Sequence, residues 1–182
     1  MEFIVIGALV LLVIFAVAQY NRLIRLNITV DEAFAQIEVQ LKRRADLIPN
    51  LVETVKGYAA HEQGTFDAVV AARAKSTSAS TVADVAAADG ALTNALRGLL
   101  AVAEAYPDLK ASAQFLSLQE QLITTENRVA FARQAFNDAV MRYNEGVVTF
   151  PGNLVAGVFQ FEQAELWTTS DDSRVVPSVR IS

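Results

Sequence analysis

Cysteine is absent from the 182 residues, and histidine occurs once, at His61. Disulfides, thiolate metal sites and thiol nucleophiles are thereby excluded, and imidazole chemistry would have to rest on one side chain. His61 precedes Glu62, as in the zinc-protease helix motif, but that motif needs a second histidine four residues on, where Thr65 stands. A Ser-His-Asp set would have to recruit the same His61, and the serines lie in loops and the tail. Excess positive charge is lacking too. Fifteen Lys and Arg stand against 20 Asp and Glu, giving a net charge of −5, so no nucleic-acid partner is expected. No glycine-rich phosphate loop is present; "AADGAL" has one glycine, Gly90, within a helical pattern. Glu32, Glu38, Glu53 and Glu126 lie on long helical patterns, where solvated faces are their ordinary role. No catalytic residue, cofactor-binding residue or metal ligand is therefore expected, and no enzyme.

Only four prolines and eight glycines interrupt a chain that is 53% hydrophobic and rich in alanine. Alanine costs a helix least, so the composition predicts an all-α protein. The N-terminal stretch "FIVIGALVLLVIFAVA" carries no polar side chain over sixteen residues, and Phe3 and Ala18 mark its ends. As a helix it spans roughly 24 Å, slightly less than the ~30 Å hydrocarbon core. Its twelve Leu, Ile, Val and Phe residues give an insertion free energy of at most about −4 to −7 kcal/mol. "AVA", Ala16 to Ala18, resembles a leader cleavage pattern, but Glu2 and no basic residue precede the apolar run. A retained anchor over residues 1–20 is expected. Arg22 and Arg25 follow the span and no basic residue precedes it, which predicts the N-terminus outside and the remaining chain in the cytoplasm.

The apolar spacing does not stop at the membrane. Leu23, Leu26, Val30, Phe34, Ile37 and Leu41 recur at three and four residues, and after Arg44 the stripe resumes at Ile48, Leu51, Val55 and Tyr58. This seven-residue repeat is the pattern of helices packed at a shallow angle. "TVDE", Thr29 to Glu32, fits a capping box, yet the stripe keeps phase through Thr29, so one nearly continuous helix is expected to end near Lys75. Pro49 lacks the N–H that would bond Ala45, which predicts a kink near Ala45 to Pro49. "STSAST", Ser76 to Thr81, reads as a loop, with Ser80 or Thr81 capping a second helix and Asp84 in its first turn. That helix should close near Ala105. Pro107 then breaks the chain and Asp108 is expected to cap a third helix. The third helix keeps a three–four spacing through Phe115, Leu118, Leu122, Val129, Ala132, Phe136, Val140, Tyr143 and Val147. "FPGN" ends it, a short apolar helix over Leu154 to Phe159 follows, and residues 162–182 form an irregular tail with an extended "SVRIS". Three long striped helices bury their stripes by forming an antiparallel bundle, with the short element covering its open side.

"YNRLIRL", "VDEAFAQIEVQLKRRADLIPNLVETVKGYAAHE", "AVAEAYPDLKASAQFLSLQEQL", "TENRVAFARQAFNDAVMRYNEGVVTFPGN" and "VFQF" strongly resemble the LemA family of bacterial proteins. The resemblance covers about residues 20–161 and is weak beyond Glu162. It implies one N-terminal membrane anchor, a cytoplasmic LemA-like bundle over residues 21–161, and no established enzymatic activity. Some relatives are associated with bacterial organelle membranes. The implied location is the bacterial inner membrane, crossed once, with membrane lipid as a partner.

Two polar groups stand out. Lys42, Arg43 and Arg44, with Asp46 and Asn50, form a candidate contact patch for acidic partner surfaces or anionic headgroups. Arg44 falls on the core stripe, so pairing with Glu126 or Asp46 is the simpler expectation for it. Thr125, Glu126, Asn127 and Arg128 interrupt the third helix and are candidates for a polar set that fixes register in the core. The function these features predict is a membrane-anchored scaffold that forms homo-oligomers and organises or shapes the membrane. The alternative is an adaptor or sensor presenting its bundle to another membrane protein, such as a protease or signalling protein.

Overall fold

A computed structural model describes residues 1–168. Among them are six helices and no strand: α1 (Glu2–Lys56), α2 (Gln63–Ser78), α3 (Val82–Glu104), α4 (Pro107–Lys110), α5 (Ala113–Val148) and α6 (Gly152–Phe159). The described chain divides into two compact units, one of Met1–Leu47 with Gln119–Leu166, the other of Ile48–Leu118 with Trp167.

The first unit is built on α1 and α5. Arg44 meets Glu126, Phe34 meets Phe136, and Leu26 lies against Gly146. Steps toward the start of α1 are matched by similar steps toward the end of α5, so the pair is antiparallel. The stripe supplies the core: Leu23, Val30, Ile37 and Leu41 from α1, and Leu122, Val129, Phe136, Val140, Tyr143 and Val147 from α5, are all buried. Ala132 is half-buried at the edge of that stripe. Thr29 does not begin a new helix; α1 continues through it, and its hydroxyl bonds the Arg25 carbonyl at 3.0 Å.

In the second unit α2 packs on α3 and α3 on α4. Phe66, Val69, Leu92, Leu96, Leu99 and Leu109 form much of its interior, joined by Ile48, Leu51 and Val55 from the end of α1. The Lys56 ammonium lies 5.4 Å from the centroid of the Phe66 ring. α1 continues through Pro49.

Several boundaries differ from expectation. The first helix does not reach Lys75. α1 ends at Lys56, the chain turns through residues 57–62, and α2 takes over. Gly57 costs a helix about 1 kcal/mol relative to alanine, and the Tyr58 N–H bonds the Val55 carbonyl at 3.0 Å, tightening the last turn. The turn leaves Tyr58 exposed and buries Ala59 in its place. The serine–threonine tract is not all loop: α2 runs on to Ser78, because Thr77 and Ser78 donate their hydroxyls back to the carbonyls of Ala74 and Lys75. Thr81 does cap α3, accepting from the Asp84 N–H at 3.1 Å while its own hydroxyl bonds the Asp84 carboxylate at 2.7 Å. Asp108 does not cap α5. It lies in the single turn of α4, and α5 begins after Ser112, whose hydroxyl accepts from the Phe115 N–H at 3.4 Å. The extended reading of residues 178–182 lies outside the described residues.

Candidate functional site

The mid-bundle polar set of the first unit forms around one residue of the α1 stripe. Arg44 occupies the position between Leu41 and Ile48 and is buried with them. Its Nη2 lies 2.8 Å from Glu126 Oε2 on α5. Thr125, next to Glu126, is also buried, but its hydroxyl bonds the Gln121 carbonyl of its own helix at 2.7 Å. The Arg44–Glu126 ion pair is a polar link between α1 and α5. Asn127 and Arg128 point to solvent. Lys42, Arg43 and Asp46 are likewise exposed around the inward-facing Arg44. Asn50 belongs to the second unit, is exposed, and accepts a 2.7 Å hydrogen bond from the Thr54 hydroxyl at its carbonyl.

The other end of the same unit gathers residues around Tyr20, two positions past the apolar run. The Tyr20 ring lies 4.8 Å from that of Phe159 and 5.6 Å from that of Phe161. α6 reaches this position because glycine stands at two points of contact. Gly152 presses its α-carbon against the Gly146 carbonyl so closely that an added Cβ would collide with that oxygen, while Gly146 itself receives the methyl groups of Leu26 and Leu23. The Phe150–Pro151 peptide bond in this turn is cis. Beyond α6, residues 161–168 have no regular structure, yet they are held. Asn144 clasps Ala164 with both side-chain atoms, Nδ2 donating at 2.9 Å and Oδ1 accepting at 2.8 Å. The Tyr143 hydroxyl donates to the Glu162 carbonyl at 2.9 Å. Burial raises the Tyr143 pKa above its ordinary value, helped by the negative charges of Asp31 and Glu162.

Between these two regions, Thr29, Glu32 and Gln36 of α1 and Asp138 and Arg142 of α5 line an open groove. Its floor is shallow and alanine-lined, which suits water better than an enclosed small molecule. His61 is exposed in the turn before α2. Among the described residues no group of three or more His, Cys, Asp or Glu is placed to hold a metal ion.

Three features escaped sequence reasoning. Asn144 sits beside the stripe with nothing in its neighbours to announce a partner twenty residues on. The Gly146–Gly152 approach was readable only as part of "FPGN". Asp89 is buried in α3 at a position in phase with Val85, Leu92 and Leu96. A charged residue on stripe phase was the available signal there, as it was for Arg44.

By length and composition α1, Glu2–Lys56, can cross a membrane, and its window of highest hydropathy is not buried in the protein. With the antiparallel helices behind it, this defines a membrane-associated helical protein. A model of the LemA family matches residues 33–181, and the chain belongs to that family. The match extends past residue 161 to take in most of the tail, a region in which the motifs had shown little likeness. Among its relatives is magnetosome protein MamQ 2 of Paramagnetospirillum magneticum, 25% identical over 173 residues, covering 81% of this chain and 64% of the relative. Magnetosome protein MamQ of Magnetospirillum gryphiswaldense is 24% identical with the same coverage. Protein LemA of Metamycoplasma hominis is 24% identical over 160 residues, covering 87% of this chain and 73% of the relative. The chain thus spans 64% of the length of the magnetosome relatives it matches.

Proposed function

We propose that this protein is a non-enzymatic, membrane-anchored scaffold that self-associates in the plane of a bacterial inner membrane and organises or shapes that membrane. The carrying observation is apolar surface that α5 leaves outside its buried stripe: Ile123, Met141 and Val148 are exposed, with the polar residues Asn127 and Gln134 between the first two. Met141 and Val148 are seven residues apart, about two turns, and so share a face. Apolar side chains left outward on a helix whose inner stripe is already buried against α1 are available for association. In the same unit α1 carries both the apolar span and the stripe that packs on α5. An anchor restricts copies to one plane and one orientation, which raises their effective concentration and makes modest lateral contacts count. Closed symmetric assemblies satisfy every such contact. Exposed Arg22 and Arg25 just past the span support the orientation with the N-terminus outside and the helices cytoplasmic. The relatives named magnetosome proteins are compatible with a membrane-organising role here.

Light scattering of the full-length protein in mild detergent, beside a chain truncated to begin at Asn27, tests the reading. A multiple of the monomer mass is expected for the full-length protein. Monomers of both at tens of micromolar would sink it, and recovery of one dominant foreign partner by proximity labelling would favour an adaptor instead. Digestion of a C-terminal tag by protease added to intact cells would reverse the orientation.

A further inference from the structure

We infer that α6 is a membrane-contact element whose exposed apolar residues lie in the headgroup–acyl boundary of the bilayer that α1 crosses. The inference rests on the reading of Phe3–Ala18 as the span. A short helix on the surface of a water-soluble protein turns an apolar face inward and a polar face outward. α6 does not. Val155 and Ala156 are buried, and outward, beside Asn153 and Gly157, lie Leu154 and Val158, 62% and 76% exposed, with Phe150 before the helix and Phe159 at its end also exposed. No charged residue occurs between Glu145 and Glu162, a run of sixteen. A helix without charge and with large apolar residues facing outward is at home in a core or in lipid, and no other part of the described chain covers Leu154 or Val158.

Its position says which. The Tyr20 ring touches those of Phe159 and Phe161, so the end of α6 lies level with the residue two places past the span. The span of roughly 24 Å falls about 6 Å short of the hydrocarbon core, some four residues of helix. Glu2 resists burial at the other end, so most of that shortfall is met on the Tyr20 side, by the bilayer boundary settling near Tyr20 to Arg22. Tyrosine at such a boundary is the usual aromatic anchor, and Arg22 and Arg25 lie on the adjoining turns of α1 where their charges meet headgroups. The aromatic contact continues the apolar surface of the span sideways onto α6. The Gly146–Gly152 approach fixes α6 there on α5. An element lying in the interface beside the span would occupy area in one leaflet only, as interfacial helices do.

The absence of cysteine makes the test direct. Single substitutions Val158→Cys, Phe15→Cys and Phe131→Cys would each carry a nitroxide in the full-length protein, reconstituted in vesicles of phosphatidylcholine and phosphatidylglycerol. Phe15 lies within the span, and Phe131 is an exposed aromatic on α5. Collision with oxygen, which concentrates in lipid, is compared with collision with a water-soluble nickel chelate. The Phe15 label should be oxygen-rich, the Phe131 label nickel-rich, and the Val158 label several-fold higher than Phe131 in its oxygen-to-nickel ratio. An oxygen-rich Phe15 label with a Val158 label as nickel-accessible as that at Phe131 would overturn this inference alone. A nickel-accessible Phe15 label would overturn the anchor and the inference together. A Val158 label shielded from both reagents would overturn it in favour of coverage by a second copy.

Discussion

Arg44 Nη2 lies 2.8 Å from Glu126 Oε2, and the two side chains occupy unequal surroundings, 3% exposed for the arginine and 44% for the glutamate. The inequality makes the two single substitutions unequal. Arg44→Met fills the position with an apolar chain and lets Glu126 turn to water, a change that buried ion pairs often tolerate. Glu126→Ala withdraws a counter-charge from a guanidinium that stays in the core. We expect Glu126→Ala to cost about 1–3 kcal/mol of unfolding free energy, and Arg44→Met clearly less, by chemical denaturation in detergent. A larger loss for Arg44→Met would mean that the guanidinium stabilises the core through contacts other than this pair.

Gly152→Ala should be the most damaging small substitution in the first unit. The new methyl group would meet the Gly146 carbonyl oxygen, a backbone atom that moves only if α5 or α6 moves. Overpacking of this kind typically costs about 1–3 kcal/mol, and a rigid obstacle puts it at the upper end. Gly146→Ala meets only the methyl tips of Leu26 and Leu23, at 3.1 and 3.2 Å, which can shift. There the gain of about 1 kcal/mol in helix propensity offsets the crowding. Melting curves followed by circular dichroism should show a lowered midpoint for the first and little change for the second. Equal midpoints for Gly152→Ala and the unaltered protein would remove the close approach from the account.

Ile37, Leu41, Val129 and Phe136 were legible as core because their spacing is a property of one helix and needs no partner to be recognised. The same property concealed the end of α1. The stripe stays in phase to Tyr58, and periodicity cannot distinguish a helix that continues from one that turns and restarts with a new face inward. Gly57 and Gly64 were the available signals, each individually tolerable in a helix. Asp108 misled for a related reason, since a single turn of helix after Pro107 offers an acidic first-turn residue just as a long helix does. Arg44 was placed on the stripe, and its partner came down to two acidic residues because a buried charge must be neutralised nearby. The clasp of Asn144 on Ala164 had no such logic. It depends on how a segment without regular structure returns to α5, which no local pattern encodes.

Asn144→Ala should release that segment while leaving the helices in place. The side chain makes two hydrogen bonds to one backbone unit, at 2.8 and 2.9 Å. Each such bond contributes about 0.5–1.5 kcal/mol. Amide exchange over residues 162–166 should rise several-fold, with α5 unchanged. Asn144→Asp keeps the acceptor and loses the donor, so its exchange should fall between the two. Unaltered exchange in Asn144→Ala would show that the segment is held by other means.

Tyr143 gives the fold a dependence on alkaline pH. Its hydroxyl is donated to the Glu162 carbonyl, and burial, then Asp31, then the Glu162 carboxylate disfavour the phenolate. The folded-state pKa therefore lies above the ordinary tyrosine value of 10.0 that the unfolded chain retains. Below that value both states hold the proton and the stabilisation is fully present. As pH rises past it, the unfolded chain loses its proton first, and the contribution falls away until pH passes through the folded pKa. Urea unfolding between about pH 8 and pH 11 should show stability declining above pH 10 more steeply in the unaltered protein than in Tyr143→Phe. The phenylalanine variant loses the hydrogen bond at every pH but has no proton to release, so it also starts lower. If the two curves run parallel through that window, some other group governs the alkaline limb.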